Sequence, residues 1–228
     1  MAGMGTFPRS LDRELLDAPD ADPAELRRNL AEMAMLNRLP GGVDASVRAV
    51  VALLDTDRHG PVLDIGTGSG DFARRLRRRS RAPLVLVDHN AEVLEIARRN
   101  VAGMDDVTLL EADAGDLPFP DGSAAVSHAS LVLHHLDPGE AVRALREMRR
   151  VAREGVVVND LRRSRLALAM TAVPILALAR ARYTRHDGVL SARRAYTIDE
   201  LDDLAADAGL RPVARSAAWW PRVTTTYR

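Results

Sequence analysis

The 228-residue chain contains no cysteine and no lysine. Without cysteine there can be no disulfide, no thiolate nucleophile and no zinc site built on sulfur. Without lysine, all 32 basic residues are arginine. We read this as the imprint of a GC-rich genome, so runs such as Arg74 to Arg81 carry little functional weight. The 32 acidic residues balance the arginines to a net charge of zero, which removes the basic field that nucleic-acid binding draws on. The longest apolar run, Leu166 to Ala179, has 14 residues with Pro174 inside it, short of the ~18–20 that span a bilayer. The N-terminus lacks the apolar stretch of a secretion signal, so a cytoplasmic protein is expected. A hydrophobic content of 46% and a charged content of 28% fit one soluble globular domain large enough for a full core.

What is present centres on Val62 to Gly70, which reads Val-Leu-Asp-Ile-Gly-Thr-Gly-Ser-Gly. A short apolar run ends in Gly66, Gly68 and Gly70, and a helical pattern follows from Asp71. Strand, glycine turn and helix open a nucleotide-type βα unit, where the backbone approaches a ligand too closely for a Cβ. The spacing is not that of a dinucleotide fingerprint, because Asp71 stands where the third glycine would be needed. Asp64 also sits two residues before the first glycine. A carboxylate there is a poor neighbour for pyrophosphate and a good one for an ammonium group, which suggests the methionine end of S-adenosylmethionine.

On either side of this stretch the pattern predicts a helical N-terminal cap (1–59) and an α/β domain (60–228) with an insertion at 161–195. The first eight residues read as a frayed tail, followed by two helical segments. The second starts on the N-cap Asp22, Pro23 and Glu25 and ends near Leu39 and Pro40, with Gly41 and Gly42 as the break. Val43 to Leu54 forms a further helix. Strands are expected at 61–65, 83–88, 107–111, 124–129 and 154–159, and helices at 70–79, 90–101 and 138–152. The capping pair Thr197 and Glu200 opens a helix over 198–208, and strands at about 211–218 and 222–227 pair antiparallel across Pro221. Such alternation specifies a parallel, Rossmann-like sheet with helices on both faces and ligands beyond the carboxyl ends of its strands.

Asp88, at the end of the second strand, can accept from a ribose diol or cap the following helix, and His89 comes next. After the third strand, Asp113 can accept from an adenine amino group while Ala114 offers its backbone amide; a plain surface loop is the alternative. His134 and His135 follow strand four and Asp160 follows strand five, which places them side by side. An imidazole oriented by a carboxylate is a proton acceptor at neutral pH, so one of the two histidines is expected as base and the other as a packing group. His186 is a second base candidate on the insertion, or part of a polar loop. The run 166–179 reads as a lid or dimer contact, and Asn37 and Arg38 as partners for the donor's carboxylate or an exposed helix end. The histidines show no evident metal-ligand set.

As an ordered set, Val62 to Gly70, Asp88, Glu111-Ala112-Asp113-Ala114 with Leu117-Pro118-Phe119, and Leu133-His134-His135-Leu136 resemble the class I S-adenosylmethionine-dependent methyltransferases over roughly residues 60–158. The His-His-Leu stretch and Arg146 to Val151 are similar to the quinone and small-molecule methyltransferases. Val157 to Arg165 and Thr184 to Gly188 resemble a bacterial subgroup associated with type III polyketide synthase pathways. The resemblance implies sheet order 3-2-1-4-5-7-6 with strand seven antiparallel. It also implies a donor site at Asp64, Gly66, Thr67, Gly68, Gly70, Asp88, His89, Asp113, Ala114 and Ser130, with S-adenosylhomocysteine as product. Where amino-methylating nucleic-acid enzymes carry Asn or Asp, two prolines and an aromatic residue, this chain reads Ser130-Leu131-Val132-Leu133, which disfavours a nucleobase acceptor. The expectation is O-methylation of a small, fairly apolar phenolic or polyketide-derived hydroxyl, with a homodimer as a candidate assembly. C-methylation of a quinone-type ring, a non-catalytic donor-binding partner protein and an NAD-dependent oxidoreductase remain as alternatives.

Overall fold

The computed structural model describes residues 6–17, 22–38, 42–54, 60–216 and 221–228. The expectations for residues 1–5, for the helix break at Leu39 to Gly41 and for residues 217 and 218 of the sixth strand lie outside them. Seven strands form one sheet: β1 (Val62–Ile65), β2 (Leu84–Asp88), β3 (Val107–Glu111), β4 (Ala124–Ser130), β5 (Ala152–Leu161), β6 (Pro212–Arg215) and β7 (Arg222–Tyr227). Their order is β3-β2-β1-β4-β5-β7-β6. All neighbours are parallel except β7, which runs antiparallel to both β5 and β6. The strands β1, β2 and β4 are buried throughout or nearly so, as strands covered on both faces must be.

Helices α1 (Pro23–Leu36), α2 (Val43–Leu53), α3 (Asp71–Leu76), α4 (Ala91–Asn100) and α5 (Pro138–Val151) follow the expected segments, and α8 (Ile198–Asp207) opens on its capping box. Strand alternation divides the core. Leu63, Ile65, Val156 and Val158 pack with Leu145 and Met148 of α5 and Leu201 and Leu204 of α8. On the other face, Val62, Leu84, Leu86, Val126 and Val157 pack with Val50 of α2 and Phe72 and Leu76 of α3.

Four differences from the sequence expectation bear on the site. The first helical segment is a single 3-10 turn, Leu15–Asp17, preceded by an irregular strap. α3 ends at Leu76 and gives way to turns rather than reaching residue 79. β5 extends to Leu161 because β7 pairs with it to the end, Asp160 opposite Val223 and Leu161 opposite Arg222; Asp160 therefore lies within the strand, not beyond it. The insertion consists of two packed helices, α6 (Arg165–Leu178) and α7 (Arg182–Arg194). α6 carries Pro174 inside it and exposes Leu166, Val173, Leu176 and Leu178. Among the described residues no helix is long and apolar enough to cross a membrane.

Leu145 is fully buried between α5 and the sheet. Leu145→Ala is expected to cost about 2–5 kcal/mol, transfer plus cavity, seen as a lower urea midpoint at unchanged slope.

Candidate active site

The carboxyl ends of β1, β2, β4 and β5 open into one cavity of about 690 Å³, a size that takes a drug-sized ligand with room for a second small molecule. At its centre Gly66 has φ +65°, and a Cβ there would stand 2.4 Å from Val132 Cγ2. The turn after β4 and the glycine loop therefore pack as closely as glycine alone permits. Gly70, at φ 78°, begins α3 as its N-cap.

Asp64 is buried, and both its oxygens are engaged within the protein. One accepts from Thr67 Oγ1 at 2.7 Å and the other lies 2.8 Å from His128 Nδ1. His128, buried within β4, stacks on Phe72 at 3.8 Å between ring centroids. Asp88 accepts from the amides of Gly68 (3.2 Å) and Asn90 (3.1 Å). Burial raises its carboxyl above the ordinary value against these hydrogen bonds. The cap of α4 is Asn90, whose side chain accepts from Glu92 and Val93, so Asp88 is not the helix cap. Asp113 accepts from the Gly115 amide at 2.6 Å. Asp64, Gly66, Thr67, Gly68, Asp88, His89, Asp113, Ala114 and Ser130 all line the cavity.

His134 and Asp160 meet as the sequence suggested. Nδ1 of His134 lies 2.6 Å from Asp160 Oδ1, which also accepts from the Leu161 amide at 2.7 Å. A carboxylate only accepts, so Nδ1 carries the proton in this pair, and Nε2 is the ring nitrogen not bound to Asp160. Burial alone would raise the Asp160 carboxyl; the charge and hydrogen bond of His134, the Leu161 amide and the charge of His135 outweigh it and hold Asp160 below its ordinary value. The turn bearing both histidines is pinned through its carbonyls. Arg9 donates to those of His134 (3.0 Å) and Leu136 (2.8 Å), and Arg194 to those of His134 (3.2 Å) and His135 (2.7 Å). Tyr196 donates to Leu136 at 2.7 Å.

Several site residues had no signal in the sequence. Glu14, from the N-terminal strap, is buried against the dyad, 3.9 Å from His134 Nε2 and 3.7 Å from His135 Nδ1, and accepts from Ser191 at 2.8 Å. With the two histidines it brings three possible metal-ligand atoms within 4.8 Å of one another. Asp187 receives the amides of Leu15 and Leu16 at 2.9 and 3.0 Å, fastening the strap to α7. Arg222, at the start of β7, donates to Asn37 Oδ1 (2.5 Å), Ser130 Oγ (2.8 Å) and Asn159 Oδ1 (3.2 Å). Burial pushes its pKa down to about 10 against the field of Asp160, so it stays charged at neutral pH. His128 alone left a trace, as a histidine inside a buried strand. His186, in contrast, has a half-exposed ring that binds Asp187 at 2.8 Å and does not line the cavity. It is not placed as a second base. Arg38 is exposed and also absent from the lining, whereas Asn37 lines it.

Comparison with known proteins agrees with this architecture. Residues 62–155 match the family described as methyltransferase domain. The ubiquinone/menaquinone biosynthesis C-methyltransferase UbiE of Hahella chejuensis is 34% identical over 99 residues, covering 41% of this chain and 39% of that protein. The demethylmenaquinone methyltransferase of Clavibacter sepedonicus is 36% identical over 94 residues, covering 41% and 37%. The chain thus spans about two fifths of the length of these relatives. A SAM-dependent methyltransferase of Aquifex aeolicus superposes with TM-score 0.62 at 18% identity, over 90% of this chain and 97% of that one. An O-methyltransferase from neocarzinostatin biosynthesis, solved with S-adenosyl-L-homocysteine and 1,4-dihydroxy-2-naphthoic acid, superposes with TM-score 0.62 at 21% identity, over 90% and 58%. Residues 62–155 are thus similar to a methyltransferase domain, and the fold is the one these two solved methyltransferases share. Within that class, the matched segment resembles the quinone methyltransferases.

Two outcomes are expected. Gly66→Ala forces a strained φ and a clash with Val132, and should weaken S-adenosylhomocysteine binding about tenfold or more by calorimetry. Because Asp160 is depressed, its stabilisation is complete above its unfolded pKa near 3.8 and fades as pH falls through the lower folded value. Asp160→Asn should therefore be less stable than the parent at pH 7, with the gap closing on acidification in denaturant titrations.

Proposed function

We propose that this protein transfers the methyl group of S-adenosylmethionine to a hydroxyl of a small, fairly apolar phenolic or polyketide-derived acceptor. The observation that carries the reading is the buried His134–Asp160 pair, whose His134 borders a cavity with Leu136, Met170, Pro174 and Ile175 in its wall beside Glu14 and His135. The donor supplies a carbon already bonded to a good leaving group. What remains for the chain is positioning, exclusion of water and removal of one proton, and positioning is the largest of these in favourable cases. Asp64, Gly66, Thr67, Gly68, Gly70, Asp88, His89, Asp113, Ala114 and Ser130 hold the donor along the strand ends. His134 Nε2 accepts the acceptor's hydroxyl proton, and Asp160 fixes the ring and stabilises the imidazolium that forms. His135, partly exposed beside Glu14, shapes the pocket next to the base.

A second reading has specific support: the similar proteins include a C-methyltransferase of ubiquinone/menaquinone biosynthesis. The same dyad serves it, since deprotonating a hydroquinone hydroxyl makes the adjacent ring carbon nucleophilic. The exposed face of α6 fits a lid or a contact between two copies, and a cytoplasmic setting fits the chain's chemistry.

His134→Ala is expected to lower kcat about 100-fold or more with S-adenosylhomocysteine affinity unchanged, and His135→Ala to have the smaller effect. Turnover of a phenol and naphthohydroquinone panel with a carbon-13-labelled donor checks this and separates O- from C-methyl products by chemical shift. Near-normal rates in both variants would remove the dyad from the mechanism.

A further inference from the structure

Arg222 belongs to no part of the mechanism above, yet it lines the cavity. Its guanidinium has five N–H donors. Three are used on neutral oxygens, those of Asn37, Ser130 and Asn159. No carboxylate of the described residues stands within ion-pair distance. Asp160 contributes only a field, and its oxygens are taken by His134 and Leu161. A partly buried cation fastened to neutral groups on rigid elements leaves charge and donors for an anion from outside the chain.

Its place in the fold indicates which anion. Strand alternation puts Asn159 on the α2 face, where its amide donates to Gly42 O (3.0 Å) and Ser46 Oγ (2.8 Å). Asp160 and His134 are on the opposite face. Arg222 is therefore on the side of Asp64, Thr67 and Ser130, not on the side of the base. Asp71 borders the cavity on the same side and has one buried oxygen, Oδ2, without a partner. Burial raises the Asp71 carboxyl above its ordinary value, opposed first by the Asn37 side chain. Asn37 thus stands between a cationic and an acidic group, an arrangement complementary to the two charges of an α-amino acid. Each Asp64 oxygen already has one partner, so further groups beside Asp64 are needed to match both charges of such an end.

We propose that Arg222, held by Asn37, Ser130 and Asn159, binds the α-carboxylate of the donor's methionine end. The inference rests on the donor being S-adenosylmethionine. It adds an anchor from the antiparallel strand, outside the glycine-loop half of the domain, and makes donor binding depend on β7.

The test compares two ligands that share the nucleoside thioether. S-adenosylhomocysteine carries the amino-acid end; 5′-methylthioadenosine lacks it. By calorimetry, Arg222→Met should bind S-adenosylhomocysteine about 10- to 100-fold more weakly than the parent, the scale of a lost charge-assisted contact. Its affinity for 5′-methylthioadenosine should be unchanged. Unchanged affinity for S-adenosylhomocysteine overturns the proposal, as does an equal loss for both ligands. A raised KM for the acceptor with donor affinity intact also overturns it, assigning the charge to the acceptor instead. If the variant does not fold, the parent protein decides with the decarboxylated analogue of S-adenosylhomocysteine, which should bind at least tenfold more weakly than S-adenosylhomocysteine itself; equal affinity overturns the proposal. Failure of the parent to bind either nucleoside would instead refute the donor reading.

Discussion

The carbonyl groups of the turn after β4 are held by side chains rather than by a helix or sheet ladder, and the site depends on this. A 3-10 turn of three residues leaves most of its backbone acceptors free. Arg9, Arg194 and Tyr196 take those acceptors from two separate parts of the chain, and Asp160 takes the His134 amide at 3.3 Å. The imidazole is thereby fixed from both its backbone and its ring. Arginine suits the task because one planar fork reaches two carbonyls at once, which a lysine ammonium does with less geometric definition. A chain without lysine is well supplied for such work.

The donor half was legible because its constraints are local. Glycines at alternate positions follow from close approach of backbone to backbone, as Val132 against Gly66 shows. Apolar runs bounded by caps and turns specify buried parallel strands, and a doubly wound sheet places the ends of β4 and β5 side by side. The meeting of His134 and Asp160 could therefore be inferred from topology alone. The helices of the insertion were less legible. α6 is apolar around most of its circumference, because one face lines the cavity while another stays exposed, so it shows no amphipathic stripe to mark it.

Glu14, Asp187 and Arg222 were hidden for a different reason. Each is an ordinary charged residue in its local sequence, and acquires its environment only through contacts across most of the chain, such as Leu15 to Asp187 or Arg222 to Asn37. The same long reach explains the extension of β5: Asp160 falls inside a strand because Val223, far along the chain, supplies its ladder partner. Charge and hydrogen-bond accounting in three dimensions finds such residues, whereas spacing does not.

The N-terminal strap sets the two poles of the cavity apart. The glycine loop and the turns around Asp88 and Asp113 close over short sequence separations. The base pole is complete only when residues 7–16 return to α7 and its flanks, as in Ser10 to Arg193. Closing a span of that length carries a larger entropic cost than closing the short loops. The same contacts run from Phe7 to Leu16 and reach α7, its flanks and the turn after β4. Because Arg9 and Glu14 reach the His134 turn from this strap, a change near the N-terminus is felt at the base.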